Sequence, residues 1–119
     1  MITNFEEYTQ DLTSEELATI SKVCEVLSIY TKANPVKSPA LVKHINNELR
    51  KEQWHVQITE VRLRKIVHTI RATGMLPVIA TSKGYYISYD VDDVCAQVRS
   101  LIERSQSIDA CAKGMLKFT

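Results

Sequence analysis

Cysteine is sparse and poorly spaced for chemistry: Cys24, Cys95 and Cys111 are the only three, and no CxxC pair occurs. An odd number at wide spacing offers neither a disulfide framework nor a zinc-type ligand set, so reduced thiols in a cytoplasmic protein are expected. Long apolar runs are missing too. None approaches the ~18 residues of a membrane span, so no membrane partner is expected. The opening stretch, Met1 to Asp11, is acidic and lacks the basic start and apolar core of a secretory leader. With three glycines in the chain there is no phosphate-cradling glycine loop, and neither Gly-x-Ser-x-Gly nor His-Glu-x-x-His is present. His44, His55 and His68 fall on different predicted elements, so no metal, cofactor or catalytic centre is expected.

What is present suits a single soluble domain. The chain has 119 residues, 45% of them apolar and 24% charged, enough for one hydrophobic core but not two. Its net charge of +1 conceals a strong asymmetry. Residues 1–31 carry one lysine against six acids, a net −5; residues 32–83 carry ten Lys or Arg against three acids, a net +7; residues 84–119 carry four against five, a net −1. The middle third is therefore the surface expected to face phosphate.

Helix signals punctuate the sequence. Residues 1–12 show no clear period and are expected to form an arm. Thr13 and Glu16 make a capping box, Leu12 and Leu17 a hydrophobic staple, and Leu17, Ile20, Cys24 and Leu27 share one stripe. This helix has ended by Asn34-Pro35. Ser38 is expected to cap a second helix with Pro39 at N1, burying Leu41, Val42, Ile45 and Leu49 and leaving Lys43, His44, Asn47, Arg50 and Lys51 outside or at the flanks. Residues 52–58 connect, with Trp54 and Ile58 as expected core plugs. Thr59 caps a third helix that runs to Gly74, the left-handed residue that stops it. Around that helix Leu63, Ile66, Val67 and Ile70 gather on one face, and Arg62, Arg64, Lys65, His68 and Thr69 on the other.

Two short β-branched and aromatic runs follow, Leu76–Ala80 and Tyr85–Tyr89, joined by Thr81-Ser82-Lys83-Gly84. Pro77 belongs at the strand start or on an edge. Tyr85, Ile87 and Tyr89 are expected to pack, and Tyr86 either to touch a sugar-phosphate or to lie on the surface. Lys83 is either an ordinary tip residue or a phosphate anchor. Asp90 caps a last helix, in which Val91, Val94, Val98, Leu101, Ser105, Ile108, Ala112 and Met115 alternate at 3-4 spacing. That seam can pair with a second copy, Val94, Val98, Leu101 and Ile108 being its dimerisation residues, or dock on the domain's own core.

The order helix, helix, basic helix, hairpin, long helix resembles the winged helix-turn-helix modules of bacteriophage and prophage proteins. Carrying the resemblance are Val61-Arg62-Leu63-Arg64-Lys65-Ile66-Val67, Ile70-Arg71 to Gly74, and Thr81-Ser82-Lys83-Gly84-Tyr85-Tyr86-Ile87. The last helix, Val91–Lys117, with Leu101, Arg104 and Lys113-Gly114, is similar to the tail that follows this module. The match covers about residues 38–117. It implies a mainly α fold with a small β-hairpin (α+β), divided into an arm (1–12), a winged-helix domain (13–89) and a C-terminal helix (90–119). It further implies that Arg62, Arg64, Lys65 and His68, with Thr69 beside them, read a DNA groove, and that Lys83 touches phosphate. Lys43, Arg50 and Lys51 would fix position through the backbone. The expected partner is duplex DNA, bound by a homodimer in replication control or transcription regulation. The rivals are a winged-helix module that blocks a host or phage protein, and a structural adaptor held by the last helix.

Overall fold

A computed structural model describes residues 11–119 of the chain; all but two residues of the expected N-terminal arm lie outside the described residues. The chain divides at Ser88/Tyr89 into two compact units. In the first, Thr13 and Glu16 form the capping box as expected, the Thr13 amide donating to Glu16 Oε1 at 2.9 Å and the Glu16 amide to Thr13 Oγ1 at 3.1 Å. The helix that follows is not continuous. α1 (Ser14–Ala18) gives way at Thr19 to α2 (Ile20–Leu27). The buried Thr19 hydroxyl donates to the Glu16 carbonyl at 2.7 Å, a back-bond of the kind that bends helices. The buried stripe runs through the break without a change of phase: Glu16, Thr19, Ile20, Val23, Val26 and Leu27 are buried at helical spacing. Leu17, expected inside, is 50% exposed because it stands about 100° round from Glu16, on the flank of that stripe.

α3 (Ser38–Lys51) starts one residue earlier than the sequence suggests: Lys37 is the cap residue and Pro39 lies in the first turn. Ser38 is therefore inside the helix, where its hydroxyl caps nothing. Leu41, Ile45 and Leu49 are the fully buried face, with Val42 partly buried against the same core. The helix ends without glycine. Gln53 takes φ 63° while its amide and that of Trp54 donate to the Arg50 and Leu49 carbonyls at 3.0 and 2.9 Å, the paired closure of a Schellman motif. Trp54 ends up 37% exposed, not a core plug, whereas Ile58 is buried. Asn46 holds the connection: its Nδ2 donates to the Ile58 carbonyl at 2.9 Å and its Oδ1 accepts the Ile58 amide at 2.8 Å. Lys22 on α2 reaches both Glu25, at 3.0 Å, and Glu52 at the end of α3.

Thr59 caps α4 (Glu60–Ala72) through the Arg62 amide at 3.2 Å. At the far end Gly74, φ 69°, closes a second Schellman motif, with Met75 and Gly74 amides on the Ile70 and Arg71 carbonyls. Leu63, Ile66, Val67 and Ile70 complete the core with α2 and α3.

β1 (Val78–Thr81) and β2 (Gly84–Ile87) form an antiparallel ladder, Val78 opposite Ile87 and Thr81 opposite Gly84. Neither Ser82 nor Lys83 has positive φ; the turn places that conformation on Gly84, φ 127°. A third segment joins: Val36 and Tyr85 exchange both backbone hydrogen bonds, at 2.9 and 2.7 Å. Here the expected alternation of tyrosines is reversed in part. Tyr85 and Ile87 are half-buried against the core, Tyr86 is buried at 5% exposure, and Tyr89 is 76% exposed. The ladder pairs Tyr86 with Ile79, both buried, so neither face of this hairpin is free at its centre. Tyr89 lies past the last paired residue.

The second unit is α5 (Val91–Met115) and a short 3-10 turn, Leu116–Phe118. Asp90 Oδ1 accepts the Asp92 amide at 2.8 Å and the Asp93 amide at 3.4 Å, with Asp92 and Asp93 complementing the positive end of the helix. No described helix is long and apolar enough to cross a membrane.

Candidate nucleic-acid interface

Taking Leu63 as zero and stepping ~100° per residue, the buried Leu63, Ile66, Val67 and Ile70 centre near about −10°, so the outward arc of α4 centres near about 170°, between His68 at about 140° and Lys65 at about 200°, with Arg64 towards its edge at about 100°. Arg64 and His68 are exposed and Lys65 is half-buried. No carboxylate among the described residues pairs with any of the three. Thr69, half-buried, lies further round and donates its hydroxyl to the Lys65 carbonyl at 3.0 Å. Lys65, His68, Thr69 and Thr73 border a shallow hollow that Leu12 and Leu17 share. Leu17 thus contributes to a surface instead of the core.

Arg62 is a correction. Expected on the outward face, it is 7% exposed. Its Nε donates to Glu16 Oε2 at 2.8 Å and its Nη2 to Glu16 Oε1 at 2.7 Å and to the Asp11 carbonyl at 3.0 Å. On the helical wheel it falls on the flank, about 100° from Leu63, where an acid from another element decides its fate. The hydrogen bond from Arg62 is the main influence that holds the Glu16 carboxyl below the usual carboxylate range; burial opposes it and the Thr13 amide assists. A bidentate guanidinium so engaged has no fork left for a base edge.

Lys83 stands exposed at the hairpin tip, its amide donating to Thr81 Oγ1 at 3.2 Å. The tip adjoins the start of α3, where Lys37, Ser38 and Pro39 line a hollow with Thr81, Ser82 and Gly84. Lys37 is the cation that sequence reading missed. Its signal was its position, one residue outside the Ser-Pro start, which only the Val36–Tyr85 pairing brings to the hairpin. On α3, Lys43 and Arg50 are exposed, with Asn47 between them one turn from each; Arg50 Nη1 lies 3.5 Å from Asn47 Oδ1. Lys51, also exposed, pairs with Glu48 at 3.2 Å. Arg71 has a structural task, its Nε donating to the Val78 carbonyl at 2.9 Å and tying α4 to β1.

In the second unit Val94 is half-buried, and Val98, Leu101 and Ile108 are exposed. Cys24 is half-buried, with burial raising its thiol pKa; Cys95 and Cys111 are exposed, and all three are free. Among the described residues, no group of three His, Cys, Asp or Glu side chains is arranged to hold a metal ion. No family model, curated protein or solved structure matches the chain.

Proposed function

We propose that this chain is a winged-helix protein that binds double-stranded DNA, laying α4 in the major groove and the β1–β2 hairpin over the adjacent backbone. It works as a cytoplasmic homodimer joined through α5, in phage or prophage replication control or transcription regulation. One observation carries the DNA reading: Arg64, Lys65 and His68 share the outward arc of α4 without a carboxylate partner among the described residues. Solvated surface lysines and arginines are common, but here they stand on the helix that precedes a lysine-tipped hairpin. An Arg or Lys set bidentately on guanine contributes roughly 1–3 kcal/mol of base discrimination. Lys43, Arg50, Lys51 and Lys83 supply backbone contacts. Four such contacts give a salt slope of about −3.6, a loss of roughly a hundredfold in affinity between 50 and 200 mM salt.

The test is duplex binding by fluorescence anisotropy, on sequences selected from a random pool, across that salt range. Undetectable binding at ~50 mM salt, or binding untouched by Arg64→Ala combined with Lys65→Ala, rejects the reading. A second reading, a module that grips another protein, is favoured by the hollow beside α1. There Trp54 is exposed among Glu15, Glu52 and His55, and exposed tryptophans anchor protein interfaces. In that case Trp54→Ala, and not the α4 double substitution, abolishes activity.

A further inference from the structure

From Val98 to Thr119 every residue is exposed, yet Val98, Leu101, Ile108 and Met115 keep a 3-4 alternation completed by Ser105 and Ala112. A helix of 25 residues with such a bare apolar stripe draws little stability from propensity alone. We propose that α5 pairs with α5 of a second copy as a parallel, in-register, two-stranded coil. This rests on the dimer reading above and fixes the orientation that reading leaves open.

Val98, Ser105 and Ala112 occupy a positions, and Leu101, Ile108 and Met115 occupy d positions. Val98 at a followed by Leu101 at d is the pairing that favours two strands, whereas Ile108 sets a β-branched residue at d; the small Ser105 and Ala112 let the axes approach. Charge then selects direction. Along α5 the g positions are Gln97, Arg104 and Cys111, and the e positions are Cys95, Ile102 and Asp109. Arg104 and Asp109 are the only charges at the flanks of this seam. In a parallel coil a g residue faces the e residue of the following heptad in the partner. From Arg104 that residue is Asp109, so both copies make the same ion pair, twice per dimer. In an antiparallel coil g faces g and e faces e. No antiparallel register then offers an opposite-charge pair, and some oppose like charges. Asp109 at present bonds Lys113 on its own helix at 2.9 Å, with both side chains well exposed, a contact weak enough to exchange. Parallel pairing gathers the two Val91 ends, which antiparallel pairing would hold roughly 37 Å apart, the length of the helix.

The experiment uses the full chain with Cys95→Ser and Cys111→Ser. Sedimentation of this background gives the mass, and Ala112→Cys under mild oxidation with diamide gives the orientation. A cross-linked dimer is expected, because a position near the end of the coil meets itself only in a parallel pair and at a separation a disulfide can span. Arg104→Glu alone and Asp109→Arg alone should each weaken self-association about tenfold, since two attractive pairs become repulsive at once. The double substitution should restore it. Helicity by circular dichroism confirms that each variant still folds. A background that stays monomeric at every concentration rejects the dimer reading and this inference with it. A dimer that fails to cross-link, or that ignores the charge reversals, rejects the parallel register alone, and a three-chain mass rejects two strands.

Discussion

Glu16→Gln removes the negative charge from a pair whose side chains are only 9% and 10% exposed. The Arg62 guanidinium then remains buried, holding the Asp11 carbonyl and a neutral amide in place of its carboxylate. Breaking one side of a buried ion pair costs roughly 3–5 kcal/mol. The surviving Asp11 bond and the flank position place the expected loss near the lower end, about 3 kcal/mol. That is a large share of the roughly 5–15 kcal/mol by which a domain is stable. Urea unfolding should show a lower midpoint with an unchanged slope. Replacing both partners, Glu16→Leu with Arg62→Met, should recover most of the loss, because no uncompensated charge stays inside. The pH dependence follows from the depressed carboxyl pKa of Glu16. Its contribution is complete above the unfolded value of 4.5 and disappears as pH falls through the lower folded value. A Glu16→Gln unfolding free energy within ~1 kcal/mol of the parent's would refute the buried-pair role of Arg62. So would an Arg62→Met protein that folds with the parent's stability.

Two further outcomes test how the fold holds the interface. Gly84→Ala should lower stability by about 2–3 kcal/mol, because a left-handed alanine is strained and its Cβ would run into the Val36 carbonyl; a thermal melt reads this, and an unchanged Tm refutes it. Asn46→Ala strands the Ile58 amide and carbonyl and should cost about 2 kcal/mol. Hydrogen exchange should then accelerate at Ile58 before it does in the α3 core.

The capping signals were legible because each acts within one turn: the Thr13–Glu16 box, the Thr59 cap and the Gly74 stop all stand where the sequence puts them. The two-strand hairpin and the long last helix were equally visible. What escaped depends on contacts distant in sequence. Arg62 sits at a wheel angle compatible with either face, and Glu16, 46 residues away, decides it. Leu17 lies on the flank of a stripe whose first inward position is taken by Glu16, held there by Arg62, and Gln53 ends α3 in a conformation that composition assigns to glycine. Tyr86 looked free because a hairpin normally leaves one face to water; here both faces are covered, Tyr86 and its cross-strand neighbour Ile79 being buried on one while Tyr85 and Ile87 pack against the core on the other.

The pairing of Val36 with Tyr85 makes β2 the middle of a three-segment ladder and leaves β1 as one rim. Rims invite other chains to add strands and so seed aggregates. This one is short, preceded by Pro77, and already answered at Val78, whose carbonyl takes Arg71 while its amide turns back to Leu76. The same guanidinium that fastens the helix also denies a template to a neighbouring molecule. Substituting Arg71 should therefore surface first as loss of solubility during expression.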